Sequence, residues 1–184
     1  DTIYALILLS GAGESISIEH HKQIIDNLKL ISLDFPNIQF VVKLHRKDKL
    51  DYYSKGSKKH KLIIVDSSQN LPQTIFKWLN GCSAVLTGGS TAGVEALLMG
   101  IPVISMDFNN ELTNLEFIKN KISIHCESYE DLKNALNAVI SKDKKIDKIM
   151  HKSKSFIKDS YYNAGIGQSS NRIVNVLTKV INKN

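Results

Sequence analysis

The sequence predicts an α/β domain: a doubly wound parallel sheet of about six strands with flanking helices. Three observations predict it. Short apolar runs alternate with amphipathic stretches along the chain. Small-residue turns follow two of those runs, Ser10-Gly11-Ala12-Gly13-Glu14-Ser15 and Thr87-Gly88-Gly89-Ser90-Thr91. The length of 184 residues suits one domain, 1–184, with a proper core and no room for a second catalytic domain.

Ile3 to Leu9 reads as a buried strand, Glu19 to Leu33 as a helix and Ile38 to Leu44 as a second strand, which makes one βαβ unit. Leu62 to Val65 gives a third strand, Leu71 to Leu79 a helix, and Ala84 to Leu86 a fourth strand. Ala92 to Met99 forms a helix that ends at Gly100 with Pro102 beyond it, as a C-cap requires. Val103 to Met106 is a fifth strand and Ile122 to His125 a sixth. From Tyr129 a helix carries Leu132, Leu136, Val139 and Ile140 at helical spacing, and Ser128 with Asp131 starts it as a capping box. Ile173, Val174, Leu177, Val180 and Ile181 share one stripe, which predicts a final helix crossing back over the domain.

At 42% hydrophobic and 23% charged, the composition is that of a soluble globular protein, without low-complexity runs or internal repeats. No apolar run reaches the roughly 20 residues of a membrane span, and Asp1-Thr2-Ile3-Tyr4 lacks a secretory n-region, so the expected address is cytoplasmic. A chain that starts without Met is expected to be a fragment of a longer protein. Cys82 and Cys126 stand far apart in no metal-like spacing and read as small buried hydrophobes, so neither a disulfide framework nor a metal site is expected. The net charge of +6 comes almost wholly from lysine, with Arg46 and Arg172 the only arginines. Two readings stand: a solvated surface, or attraction of an anionic partner such as a nucleotide sugar, an acidic glycan or a lipid surface. Nucleic acid is not expected, because the lysines around Lys55-Gly56-Ser57-Lys58-Lys59-His60-Lys61 lack interleaved aromatics and no nucleic-acid module is present.

In open α/β sheets ligands sit at the carboxyl ends of the strands near the reversal of strand order, which directs attention to the loops after strands one, two and four. After strand four, Gly88 and Gly89 allow close approach, Ser90 is a suitable N-cap, and Ser90 and Thr91 open a helix whose free N–H groups and dipole suit a phosphate. Glu95 lies one turn in, where it either offsets the dipole or accepts hydrogen bonds from ribose hydroxyls. After strand two, Lys43, His45 and Arg46 collect as three potential cations, and His45 can donate to a phosphate oxygen. After strand one, Gly11 and Gly13 partly match a dinucleotide fingerprint, but Ile16 stands where a third small residue belongs. The basic end of strand two speaks against NAD and leaves NADP as an alternative. His20, His21, His60, His125 and His151 carry no comparable argument.

The segments Phe40-Val41-Val42-Lys43-Leu44-His45, Thr87-Gly88-Gly89-Ser90-Thr91-Ala92-Gly93-Val94-Glu95-Ala96 and Gly100-Ile101-Pro102-Val103-Ile104 together resemble the C-terminal domain of GT-B glycosyltransferases, those of bacterial capsule and surface polysaccharide synthesis above all. Tyr162 to Ile173 is similar to the Asp-Gly-Lys-Ala-Ser-x-Arg-Ile ending of such proteins. Two departures stand out: Arg46 replaces the usual Pro after the His, and the usual Asp of the ending is replaced around Asn163. The resemblance implies a Rossmann-like half of a GT-B fold, an absent N-terminal acceptor domain, and phosphate contacts from His45, Ser90 and Thr91 with ribose bound by Glu95. It implies a UDP-, CMP- or CDP-linked donor sugar as substrate, with no bound cofactor or metal. A glycan or lipid-linked acceptor and peripheral membrane association would accompany it. The base would come from the missing half, so the fragment would bind nucleotide without turnover. A UDP-N-acetylglucosamine 2-epimerase has a similar half, and an interaction domain that has lost catalysis is a further reading.

Overall fold

The computed structural model describes residues 3–54, 60–65 and 74–161, with 171, 174, 175 and 178 near the C-terminus. Six parallel strands form one sheet in the order β3-β2-β1-β4-β5-β6. They are β1 (Ile3–Leu9), β2 (Ile38–Lys43), β3 (Leu62–Val65), β4 (Ala84–Gly88), β5 (Val103–Met106) and β6 (Ile124–Cys126). The helices are α1 (Ile18–Asp34), α2 (Leu50–Ser54), α3 (Thr74–Leu79), α4 (Ala92–Leu98), α5 (Glu116–Lys119), α6 (Tyr129–Ile140) and α7 (Lys144–Tyr161). This is the Rossmann-like α/β architecture that the alternating pattern predicts.

The central strand β1 pairs with β2 from Ile3↔Ile38 to Leu8↔Lys43 and with β4 from Ala5↔Ala84 to Leu9↔Gly88. A strand paired on both edges and covered on both faces must be apolar throughout, and Ala5 through Leu9 are all buried. Chain growth runs outward from β1 in one direction and from β4 in the other, so right-handed crossovers set α1 and α4 on opposite faces. On its face α1 seals the sheet with Ile24, Leu28 and Ile31, all at zero exposure. Ser17 caps it by accepting from the His20 N–H at 3.0 Å. The expected Ser128 cap of α6 is present, its hydroxyl accepting from Asp131 N–H at 3.1 Å, while Asp131 reaches back to the N–H of Glu127, one residue before the cap, instead of closing the box on Ser128 itself. Gly100 ends α4 at φ +76°, as its place before Pro102 foretold.

Several boundaries differ from expectation. The sixth strand begins at Ile124 rather than Ile122, because the N–H groups of Ile122 and Ser123 are both committed to the carbonyl of Phe117 and cannot join the ladder. Strand β2 stops at Lys43, one residue short of Leu44. Helices α2 and α5 are too short to show periodicity. α7, with Ile146, Ser153 and Ile157 buried on one side, has no counterpart among the expected elements, its six lysines masking the apolar spacing. Residues 71–73 of the expected helix Leu71 to Leu79, the 162–170 stretch with Arg172 and Ile173, and most of the C-terminal apolar stripe lie outside the described residues.

Leu28→Ala deletes a fully buried side chain between α1 and the sheet, and we expect it to cost about 2–5 kcal/mol. Equilibrium chemical denaturation measures this, and a loss well below that range would mean that α1 does not seal the core.

Candidate functional site

The strand order reverses between β1 and β4, and their carboxyl ends bound the crevice where open α/β sheets hold ligands. The two ends are clamped together. Ser10, almost wholly buried, donates its N–H (3.2 Å) and its hydroxyl (2.8 Å) to the carbonyl of Gly88. Gly89 then turns at φ +87°, and a Cβ there would stand 2.9 Å from Ser10 Oγ and 3.2 Å from Ser15 Cβ, so both conformation and space demand glycine. Buried Thr87 braces the turn, its Oγ1 accepting from the Ser90 N–H at 3.1 Å.

Ser90 had been expected as the N-cap of α4. The structure sets Thr91 in that position without a side-chain cap bond, while the Ser90 hydroxyl accepts from the Ala92 N–H at 3.3 Å. Thr91 is exposed. Glu95, one turn into α4, is half-buried, and its carboxylate makes no hydrogen bond or ion pair among the described residues.

On the other side, the loop after β1 touches the loop after β2. A Cβ on buried Gly11 would meet His45 Nδ1 at 2.8 Å, Glu14 Oε2 at 3.0 Å and Lys47 Cβ at 3.0 Å. Close packing of the two loops is therefore the reason for glycine at position 11. His45 Nε2 lies 3.6 Å from Glu14, and Lys47 forms an ion pair with the same carboxylate. The hydrogen bond from Lys47, with His45 close by, holds the Glu14 carboxyl below its usual range. Arg46 is exposed at the turn, Lys43 is half-buried in β2, and Gly13 is exposed at φ +77°. Gly11 and His45 therefore meet directly, Gly88, Gly89 and Ser90 gather on the β4 side, and the loop from Ser10 to Ser15 joins the two groups.

Sequence reasoning missed the groups that hold these loops. Asp48 accepts from the His45 N–H at 3.2 Å and from the Tyr53 hydroxyl at 3.3 Å. Its other oxygen lies 3.0 Å from Nε2 of His21, at ion-pair distance but out of hydrogen-bond alignment. Burial, and then the Asp48 charge, push the Tyr53 phenol well above its usual range, so it stays a donor. His20 and His21, read from sequence as ordinary helix-start residues, are thus buried structural groups. The i, i+3 spacing of His45 and Asp48 was the available signal, a short polar turn closing on its own backbone.

The start of α1 is also occupied. Ser17 donates its N–H (2.6 Å) and its hydroxyl (2.7 Å) to the Glu111 carboxylate, and His20 Nδ1 stands 3.6 Å from it. Burial would raise the Glu111 carboxyl, but the two bonds from Ser17 and the nearby His20 outweigh it and hold the group low. With α1 beginning only at Ile18, well past Gly13, and its N-cap residue Ser17 bonded to the Glu111 carboxylate, a dinucleotide phosphate lacks its usual helix terminus there. Farther along the rim, Asp107 accepts from the N–H groups of Glu111 and Leu112 and lies 3.2 Å from His125 Nε2.

No family model matches the sequence, nor does any curated protein. Solved structures are similar to it in fold. UDP-GlcNAc 2-epimerase from Neisseria meningitidis, bound to UDP-GlcNAc, has a TM-score of 0.62 at 18% identity over 97% of this chain. The C-terminal domain of the glycosyl transferase group 1 family protein LpcC from Francisella tularensis scores 0.60 at 16% identity, covering 86% of each chain. The C-terminal CMP-Kdo binding domain of WaaA from Acinetobacter baumannii scores 0.56 at 11% identity, with 86% of this chain and 91% of that one covered. The chain spans 45% of the Neisseria enzyme's length and nearly the whole of the two isolated C-terminal domains. The fold is that of a GT-B C-terminal domain.

Because Glu111 has a lowered carboxyl pKa, its contribution to stability is present above the ordinary value of 4.5 and is lost as pH falls through the lower folded value. Glu111→Gln should therefore lower stability at neutral pH by about 1 kcal/mol and converge with the parent in acid, as measured by urea unfolding across pH. Equal stability at neutral pH would rule out this tie.

Proposed function

We propose that the chain is the donor-binding domain of a glycosyltransferase in surface polysaccharide synthesis, taking a UDP-, CMP- or CDP-linked sugar at the carboxyl ends of β1, β2 and β4. The observation that carries this reading is Glu95, a half-buried carboxylate without a partner among the described residues, one turn beyond the Gly88-Gly89-Ser90 turn. An uncompensated acceptor at that depth suits a pair of ribose hydroxyls, while the turn and the start of α4 offer N–H groups to the phosphates. Gly11, Gly13, Lys43, His45, Arg46 and Thr91 complete the proposed contacts. The reaction leaves a nucleoside phosphate whose charge His45 and the backbone N–H groups would offset. The base and the glycan or lipid-linked acceptor are assigned to a second domain, so this chain alone binds donor without turnover.

A second reading rests on the likeness to UDP-GlcNAc 2-epimerase over nearly the whole chain. The two part on chemistry: an epimerase inverts its nucleotide sugar without an acceptor, whereas a transferase consumes it only with one.

Calorimetric titration of UDP, CDP and CMP into the 184-residue chain tests the shared premise. We expect one of them to bind at millimolar concentration or tighter, and silence from all three sinks the reading. Glu95→Gln should weaken that binding about tenfold or more, since a hydrogen bond to a charged group is worth about 1.5–3 kcal/mol. Glu14→Gln should do the reverse and tighten it severalfold, because the Glu14 carboxylate already sits on His45 and Lys47 as an internal anion. Unchanged affinity in the Glu14 variant would remove His45 from the phosphate subsite.

A further inference from the structure

His45 has one polar atom that its own turn does not use. Residues 45–48 close on themselves: the Asp48 N–H donates to the His45 carbonyl at 2.8 Å, and the His45 N–H donates to Asp48 Oδ2 at 3.2 Å. The turn leaves the sheet from a fixed point, because the Leu44 N–H donates to the Val65 carbonyl at 3.1 Å. Within the turn the Lys47 N–H donates to His45 Nδ1 at 3.4 Å. The N–H, the carbonyl and Nδ1 of His45 are therefore all engaged locally. Nε2 is left to face outward, 3.6 Å from Glu14 Oε2.

A neutral imidazole carries its proton on one ring nitrogen, and the bond made at the other nitrogen decides which. With a backbone N–H aimed at it, Nδ1 presents its lone pair and the proton sits on Nε2. Gly11 lies against the same edge of the ring, Nδ1 standing 2.8 Å from where a Cβ of residue 11 would be, which holds the ring in place.

Asp48 anchors the arrangement. Its side chain is 1% exposed, and the oxygen that accepts from His45 also accepts from the Tyr53 hydroxyl at 3.3 Å, tying the turn to α2. The other oxygen stands 3.0 Å from Nε2 of buried His21 on α1. Exposed Asp and Asn side chains close such turns with the same bond, so turn closure alone does not require a carboxylate at this depth, where burial is costly. We propose, resting on the donor-site reading, that Asp48 is a positioning residue: it fixes the turn that makes His45 the Nε2–H tautomer and aims that single N–H at a phosphate oxygen of the donor. Glu14 Oε2, the anionic oxygen that Nε2 faces in this structure, marks the direction of the bond.

Imidazole nitrogen-15 spectra of the 184-residue chain at about pH 8.5, well above the ordinary histidine value, test the tautomer directly, with the His45 signals assigned by their loss in His45→Gln. We expect Nδ1 to resonate as an unprotonated nitrogen and Nε2 as a protonated one. Asp48→Ala should convert this into a mixture of both tautomers. Asp48→Asn, which keeps an acceptor for the His45 N–H, should restore the single form. A residue that served stability alone would lower the unfolding midpoint in Asp48→Ala and leave the tautomer as it is. The half-buried His45 offers a second test that leaves the anchor intact, because Gln sets its amide nitrogen near the place of Nε2 and Asn near that of Nδ1. In calorimetric titration with UDP, or with CMP where UDP is silent, His45→Asn should weaken binding about tenfold or more and His45→Gln only severalfold. The proposal is overturned by a proton on Nδ1, by two tautomers in the parent chain, by an unchanged tautomer in folded Asp48→Ala, or by equal losses in the two His45 variants. The spectrum of the free chain decides the tautomer whether or not a nucleotide binds, so failure here is distinct from failure of the donor-site reading.

Discussion

Everything at the proposed site depends on how β1 ends. The strand is paired on both sides, and at its last residues Ser10 reaches across to the Gly88 carbonyl with both its backbone and its side chain. This double hydrogen bond locks the register where the strand order reverses, and it leaves the next residues no sheet to join. The chain must then turn outward as a loop on one side and enter α4 on the other. Gly11 and Gly89 stand at these two departures, each where a Cβ would strike a neighbour at under 3 Å. The crevice thus follows from sheet topology, with the glycines as the local condition for building it.

The second constraint is electrostatic. The rim gathers cations and N–H donors, and carboxylates of the chain itself meet some of them: Glu14 on His45 and Lys47, Asp48 on the His45 backbone and His21, Glu111 on Ser17, the N-cap of α1. These pairings divide the rim. At the start of α1 Glu111 takes both bonds from Ser17, at 2.6 and 2.7 Å, and holds the terminus. At His45 the partner glutamate is as exposed as Glu111 but stands at 3.6 Å, the looser of the two contacts, and under the proposed function an incoming phosphate would displace it. On the β4 side the Glu95 carboxylate is unmatched. The asymmetry points a ligand toward β2 and β4 and away from the dinucleotide position at α1.

Most of the fold was legible because its signals are local. Apolar runs bounded by small residues placed six strands, and the Ser128 and Gly100 caps marked helix ends correctly. The start of β6 was misplaced because its residues are drawn into the turn of α5, a contact that no window of sequence shows. Helix α7 was hidden by its own lysines, whose charge masks a sound i, i+3, i+7 pattern. At the site, the loops and the residues Gly11, His45, Gly88, Gly89, Ser90 and Glu95 could be named from position in the sheet. The anchoring pairs could not: Ser17 and Glu111 are 94 positions apart, and only the fold brings them together. His20 and His21 seemed featureless for the same reason.

The central claim is that one nucleotide spans the carboxyl ends of β1, β2 and β4. Backbone amide chemical shifts of the isotope-labelled chain, recorded during titration with UDP and CMP, test it most directly. The account predicts that perturbations concentrate at Gly11 to Ser15, His45 to Lys47 and Gly88 to Glu95, and spare the first turn of α1 and all of α7. Shifts centred on α1 or α7, with His45 and Glu95 unmoved, would contradict it.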